Sequence, residues 1–276
     1  MATTALARPM LGSVLAKTIR DQRRALLWWG VGLVATAAMY AVFYPSIVEN
    51  AEILTRYLES FPEALKNAFF GSDADFVSPG GYLHTELFGF FGPLLLLVFA
   101  IGAGARAIAG EEERQTLDVL LSTPVSRRRV LVDKAVALVV GAGVLALVLW
   151  VALVLLGPPF DLTPGVGELA AAVTATFLLA VAFGAIALAV GAWTGRRALA
   201  IGVASGIGAA TYLIDALAPT LDAVAWLQKL SPFYYYDANV PVKNGLDPVH
   251  TLVLLAIAAV AFALALAGFE RRDLHA

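Results

Sequence analysis

An all-α polytopic membrane fold with six transmembrane helices is what the sequence predicts, on three observations. Hydrophobic residues fill 60% of 276 positions, charged residues only 14%, and mean hydropathy is +0.80. A soluble domain is closer to about half apolar and a quarter charged. The apolar runs are continuous, and several are long enough, at about 1.5 Å per helical residue, to cross about 30 Å of hydrocarbon. A β-barrel would instead alternate every second residue. The third observation is where the cations lie. With the N-terminus inside, fifteen of the nineteen Lys and Arg fall on the cytoplasmic side, and only Arg56, Lys66, Lys229 and Lys243 outside. Every short loop agrees, which predicts a multi-pass protein of the cell inner (cytoplasmic) membrane with both termini cytoplasmic.

The whole chain, 1–276, reads as a single transmembrane domain. Residues 11–24, LGSVLAKTIRDQRR, place Leu11, Val14, Leu15 and Ile19 near one face and most charges towards the other. That predicts an amphipathic helix in the cytoplasmic interface, the alternative being a basic flank to the first span. The first span is 26–44, with Trp28 and Trp29 near one interface, Tyr40 and Tyr44 near the other, and Pro45 at its exit. Residues 46–86 form an outer segment with one or two short surface helices and turn material from Ser72 to Gly81.

The second span, 87–108, carries Gly89, Gly92, Pro93, Gly102 and Gly104. Small residues there suit close helix crossings, and a substrate-lining hinge is the other reading. The third span is 135–156, closed by Gly157-Pro158-Pro159, and the fourth is 169–193. A basic TGRR turn leads into the fifth, 198–217, and an aromatic outer connector, 218–248, into the sixth, 249–269. Two glycine-rich spans do not make an internal repeat.

One long charged run separates two strongly apolar segments: Glu111 to Lys134, EEERQTLDVLLSTPVSRRRVLVDK. Its acidic start leads into Leu117, Leu120 and Leu121, whose i, i+3, i+4 spacing puts them on one helical face. Ser122-Thr123-Pro124 stops that helix, and Arg127 to Arg129 open the next at the level of the lipid headgroups. The bland reading is a charged inter-span loop. The sharper one is a pair of short helices, folded on a proline turn, that passes force into spans two and three.

Glu111 to Arg114, Thr116, Leu117, Asp118, Leu120-Leu121, Ser122 to Arg127 and Lys134 together resemble the loop after the second span of ABC-2 type exporter permeases. Gln115 stands where that family often has Gly, and Asp118 where it often has Glu. Leu230-Ser231-Pro232-Phe233-Tyr234-Tyr235 and Asn244-Gly245-Leu246 resemble its segment before the last span. The resemblance covers nearly the whole chain. It implies that region 110–129 is a cytoplasmic coupling helix docking on an ATPase subunit, with Glu111, Glu112, Glu113, Arg114, Thr116, Leu117, Asp118, Leu120, Leu121, Pro124 and Arg127 at the interface. It also implies two ABC ATPase partners carrying MgATP, and a second permease, identical or homologous.

No cofactor is expected on this chain and no catalytic role. Gly102-Ala103-Gly104 and Gly141-Ala142-Gly143 lack the GxxxxGK[ST] pattern of a phosphate-binding loop. His84, His250 and His275 have no metal-ligand spacing, and interfacial polarity accounts for the first two. There is no cysteine, so no disulfide or thiol chemistry, and a net charge of −2 gives no reason to expect nucleic acid. Asp215, near the outer end of the fifth span, is the candidate for a substrate path, with Tyr212 and Phe91 beside it; hydration by headgroup water is its bland reading. Glu86 and Glu168 are weaker candidates. The expected cargo is a small, hydrophobic, amphiphilic or lipid-like molecule moved outward within membrane lipid. The alternatives are an ATPase-independent channel or carrier, or a membrane anchor or assembly subunit.

Overall fold

Six helices long and apolar enough to cross a membrane form the body of the computed structural model. The structure describes residues 13–62, 75–116, 125–220 and 223–272, and among these no strand occurs. The crossing helices are α1 (Ser13–Glu49), α3 (Pro79–Ala107), α5 (Arg127–Leu156), α6 (Val166–Thr194), α7 (Arg197–Leu217) and α10 (Pro248–Arg271). Shorter helices are α2 (Ala51–Glu59), α4 (Ala109–Glu113), α8 (Pro232–Asp237) and α9 (Pro241–Asn244).

α6 is the centre. It packs against α3, α5, α7 and α10, and α9 touches it from one end. Its sequence explains why, because AVTATFLLAVAFGAIALAVGA is dominated by alanine and glycine, which let neighbouring backbones come close on every side. The tightest crossing is with α3. A Cβ on Gly104 would overlap the Gly184 carbonyl, and one on Gly184 would press on the Ala100 carbonyl and Leu138. α7 and α10, by contrast, keep broad exposed apolar faces, including Leu199, Val203, Ile207 and Leu213 on α7.

Several boundaries differ from the sequence expectation. α1 is one uninterrupted rod, so residues expected as a separate interfacial helix are its first turns. Nothing between Asp21 and Leu26 breaks a helix: the stretch has neither Gly nor Pro, and Arg, Gln, Ala and Leu are good helix formers. Pro45 lies inside α1 rather than ending it. Tyr40 and Tyr44 do not sit in an interfacial belt. Both are buried against Tyr82, whose hydroxyl donates to the Tyr40 carbonyl (3.0 Å). α3 starts eight residues before the expected second span, where Ser78 caps it through Gly81 N–H and Pro79 occupies its first turn.

The first half of α3 is wound as a π-helix, Leu83–Phe91. Gly92 N–H reaches back to the Leu87 carbonyl instead of Phe88, and the next residue, Pro93, has no N–H to offer. The orphaned Phe88 carbonyl is taken up from another element: Tyr236 Oη donates to it at 2.7 Å, with Thr176 Oγ1 3.3 Å from the same hydroxyl. Part of the connector before α10 therefore turns inward, while Trp226 and Leu230 stay exposed. Its aromatic helix α8 plugs into the end of the bundle, with Phe233 and Tyr236 buried.

Candidate functional site

Two polar sites stand at opposite ends of the helix bundle. At the arginine-rich end, α4 follows α3 after a kink at Ile108 (φ −114) and carries three successive glutamates. Each holds a different span. Glu111 Oε1 pairs with Lys134 Nζ on α5 at 2.5 Å. Glu112 pairs with Arg272 at the end of α10. Glu113 Oε1 accepts the backbone N–H of Arg197, the first residue of α7, at 2.9 Å.

Neighbouring residues are shaped to permit this clamp. Gly195, in the turn between α6 and α7, has φ +65, and a Cβ there would collide with both Arg272 and the Glu112 carboxylate. Only glycine meets both demands. Arg127 Nη1 donates to the Arg272 carbonyl (2.8 Å), and Arg129 pairs with Asp133 one turn on (2.9 Å). Ser126 accepts Arg129 N–H and caps α5. Burial works against the Glu111 charge, but hydrogen bonds from Lys134 and Thr116, and the charges of Lys134 and Lys17, hold its carboxyl below the usual range. Beside the clamp lies a cavity of about 210 Å³ lined by Thr18, Gln22, Arg106, Glu111, Arg114 and Arg197 among others.

At the other end, a cavity of about 270 Å³ opens between α3, α7 and α8. His84 comes from the π-wound turn, Tyr212 and Asp215 from α7, and Tyr234, Tyr236 and Asp237 from α8. Ser231 places α8: its hydroxyl donates to the Thr211 carbonyl (2.9 Å) and accepts Phe233 N–H (3.0 Å), fixing the Ser-Pro turn on α7. His84 is 3% exposed, and its Nδ1 lies 3.4 Å from Asp237 Oδ1. His84 Nδ1, Asp215 Oδ1 and Asp237 Oδ1 are all out of contact with solvent and lack a hydrogen-bond partner. Burial pushes the Asp237 carboxyl above its usual range, and His84 opposes the shift. Val240, at the cavity wall, has φ 46, a left-handed backbone that a β-branched residue rarely takes.

From this cavity an apolar groove of about 240 Å³ continues between α3 and α7, past Phe90, Pro93, Leu97 and Ala209. Gly89, Tyr212 and Phe233 line both.

The structure thus brings Glu111, Glu112, Glu113, Arg114, Thr116 and Arg127 together at one end. Leu117, Asp118, Leu120, Leu121 and Pro124 lie outside the described residues. Glu111 and Glu112 are half-buried and turned to spans of their own chain, while Glu113 is exposed even as it accepts the Arg197 N–H. At the other end Asp215 and Tyr212 meet in one cavity, whereas Phe91 lines neither cavity nor groove and rests by Tyr40 and Phe90. His84 was expected as ordinary interfacial polarity and is instead buried beside Asp237. That pairing, like Glu112 with Arg272, joins residues far apart in the chain and leaves no mark in local sequence. Among the described residues no three His, Asp or Glu come close enough together to hold a metal ion.

No curated protein sequence matches the chain. A family model described as ABC-2 family transporter protein matches residues 13–274. With six apolar helices and that match over almost its full length, the chain belongs to the ABC-2 transporter family and is a multi-pass membrane subunit of an ABC transporter.

Proposed function

We propose that this subunit exports a small hydrophobic or amphiphilic molecule, driven by ATP hydrolysis on two separate ABC ATPase subunits and paired with a second permease. The observation that carries the reading is the acidic turn of α4. Its three carboxylates tie α5, α7 and α10 to the end of α3. A push on the segment 117–124 that follows α4 reaches four spans through those bonds and the helix itself. The sequence has no phosphate-binding loop of its own, so the nucleotide work falls to a partner chain. The excess of Lys and Arg at the α4 end supports a cytoplasmic location for that end and for both termini. By their i, i+3, i+4 spacing in the sequence, Leu117, Leu120 and Leu121 are the residues we assign to docking on the ATPase.

In this cycle ATP closes the paired ATPases, the segment after α4 moves with them, and α3 and α5 tilt. The groove between α3 and α7 then changes its exposure, and hydrolysis resets it. Exposed small residues on α7, with open space at Gly202 and Gly206, suit close approach of a second permease.

The test is co-expression with the ABC ATPase encoded beside this chain, purification through a tag on the permease, and assay of hydrolysis and substrate efflux. Two permeases with two active ATPases are expected. Leu120→Ala should weaken recovery of the ATPase, and Glu112→Ala should leave the complex assembled but lower substrate-stimulated hydrolysis. A permease that always purifies alone, or unchanged coupling in both variants, overturns the proposal.

A further inference from the structure

We infer that the cavity between α3, α7 and α8, with the groove that opens from it, binds an amphiphilic organic cation, its protonated amine in the cavity and its apolar body along the groove. The inference rests on the export reading above and gives it a substrate class. Two carboxylate oxygens, Asp215 Oδ1 and Asp237 Oδ1, line the cavity out of contact with solvent and without a hydrogen bond, and His84 Nδ1, likewise unbonded, lies 3.4 Å from Asp237 Oδ1. His84 is the most enclosed, at 3% exposure. Buried polar atoms normally find partners, and a set of orphans on one wall marks a place where a ligand supplies them. An ionised carboxylate oxygen only accepts, so the partner missing at Asp215 Oδ1, and the one that would complete Asp237 Oδ1, is a donor.

The charge of that donor follows from the lining. Among the described residues two carboxylates face the cavity and no Lys or Arg does. An anion would face the carboxylates of Asp215 and Asp237, of which only Asp237 has His84 beside it, whereas a cation is met by both. Aromatic rings of Tyr212, Phe233, Tyr234 and Tyr236 surround the same space, and ring faces attract a cation. A positive group also favours the ionised form of Asp237, against the effect of burial.

Size and continuity supply the rest. The three side chains are not close enough to hold a metal ion, and the cavity of about 270 Å³ takes an organic head instead. Gly89, Tyr212 and Phe233 pass directly into a groove walled by Phe90, Leu94 and Leu97. The charged and apolar parts therefore lie in the order that an amphiphilic amine presents. A neutral lipid chain would fill the groove and leave the acceptors as they are.

The test uses the full chain in nanodiscs of neutral phosphatidylcholine, with empty discs as the partition control. Two xanthene dyes of similar size are the probes: rhodamine 6G, a cation with N–H donors, and fluorescein, an anion. Fluorescence anisotropy should show saturable binding of rhodamine 6G alone. Asp215→Asn and Asp237→Asn should each weaken it at least about tenfold, with the melting temperature checked in both. If Asp237→Asn does not fold, Asp215→Asn decides. Equal binding of the two dyes, or an unchanged affinity in Asp215→Asn, overturns the inference and leaves the groove to lipid or a second copy. Recovery of the ATPase is scored separately. Loss of dye selectivity with hydrolysis still coupled overturns only the cation class. Selective dye binding by a chain that never engages an ATPase upholds the site and overturns the export drive.

Discussion

At the scale of single residues, Gln115 departs from local preference in a way that can be tested. It has φ 57, in the left-handed region, just past α4, and its N–H closes the turn onto the Glu112 carbonyl (2.8 Å). Left-handed backbone costs a side-chain-bearing residue about 1–2 kcal/mol, and glycine avoids it while losing somewhat more chain entropy. Gln115→Gly should therefore stabilise the protein by a net of about 0.5–1 kcal/mol, read as a higher melting temperature in detergent, while Gln115→Ala should not. The resemblance to ABC-2 permeases already marked this position as one where that family often has Gly. It did not say why, because the need arises only from the backbone turn that aims Glu111 to Glu113 at three spans. The same limit applies to His84 and Asp237. Each is unremarkable in its own stretch, and their meeting depends on the π-wound turn and on α8 folding inward.

At the scale of elements, the apolar runs were legible because length and continuity alone specify a spanning helix. Their ends were not. α3 begins early because Asp75, Ser78 and Pro79 build a cap, with Asp75 accepting from Val77 N–H, Ser78 and Lys243. Partial burial opposes the Asp75 charge, but those bonds outweigh it and bring its pKa to about 2. The glycines of α3 were readable as packing residues, and the structure shows which one matters most. Gly104→Ala puts a methyl group into the Gly184 carbonyl and should cost about 1–3 kcal/mol by overpacking. Gly32→Ala, where nothing lies within 4 Å, should be neutral or slightly stabilising. Thermal melts of both variants in one detergent check the contrast; equal losses would mean that the crossing is not what holds α3 to α6.

For the molecule as a whole, the α4 clamp makes stability depend on acid. The folded-state pKa of Glu111 lies below the ordinary value of 4.5. Its contribution is therefore complete above that value and is lost as pH falls through the lower, folded value. Melting temperature should fall on the acid side, and Glu111→Gln should start lower at neutral pH and lose less between pH 5 and pH 3. A variant with the same acid slope as the wild type would show that other carboxylates carry it. Charge counting in the sequence located this end of the molecule; the partners of the acids, Lys134, Arg272 and the backbone of Arg197, had to come from the fold.

The position of α6 carries a last consequence. A helix surrounded by four others fills the axis of the bundle with its own side chains, and 72% of its most apolar stretch is buried. A single copy is thus a wall rather than a tube. Whatever crosses with its help has to travel along the outside of the bundle, where only the neighbouring lipid or another protein surface can form the far bank.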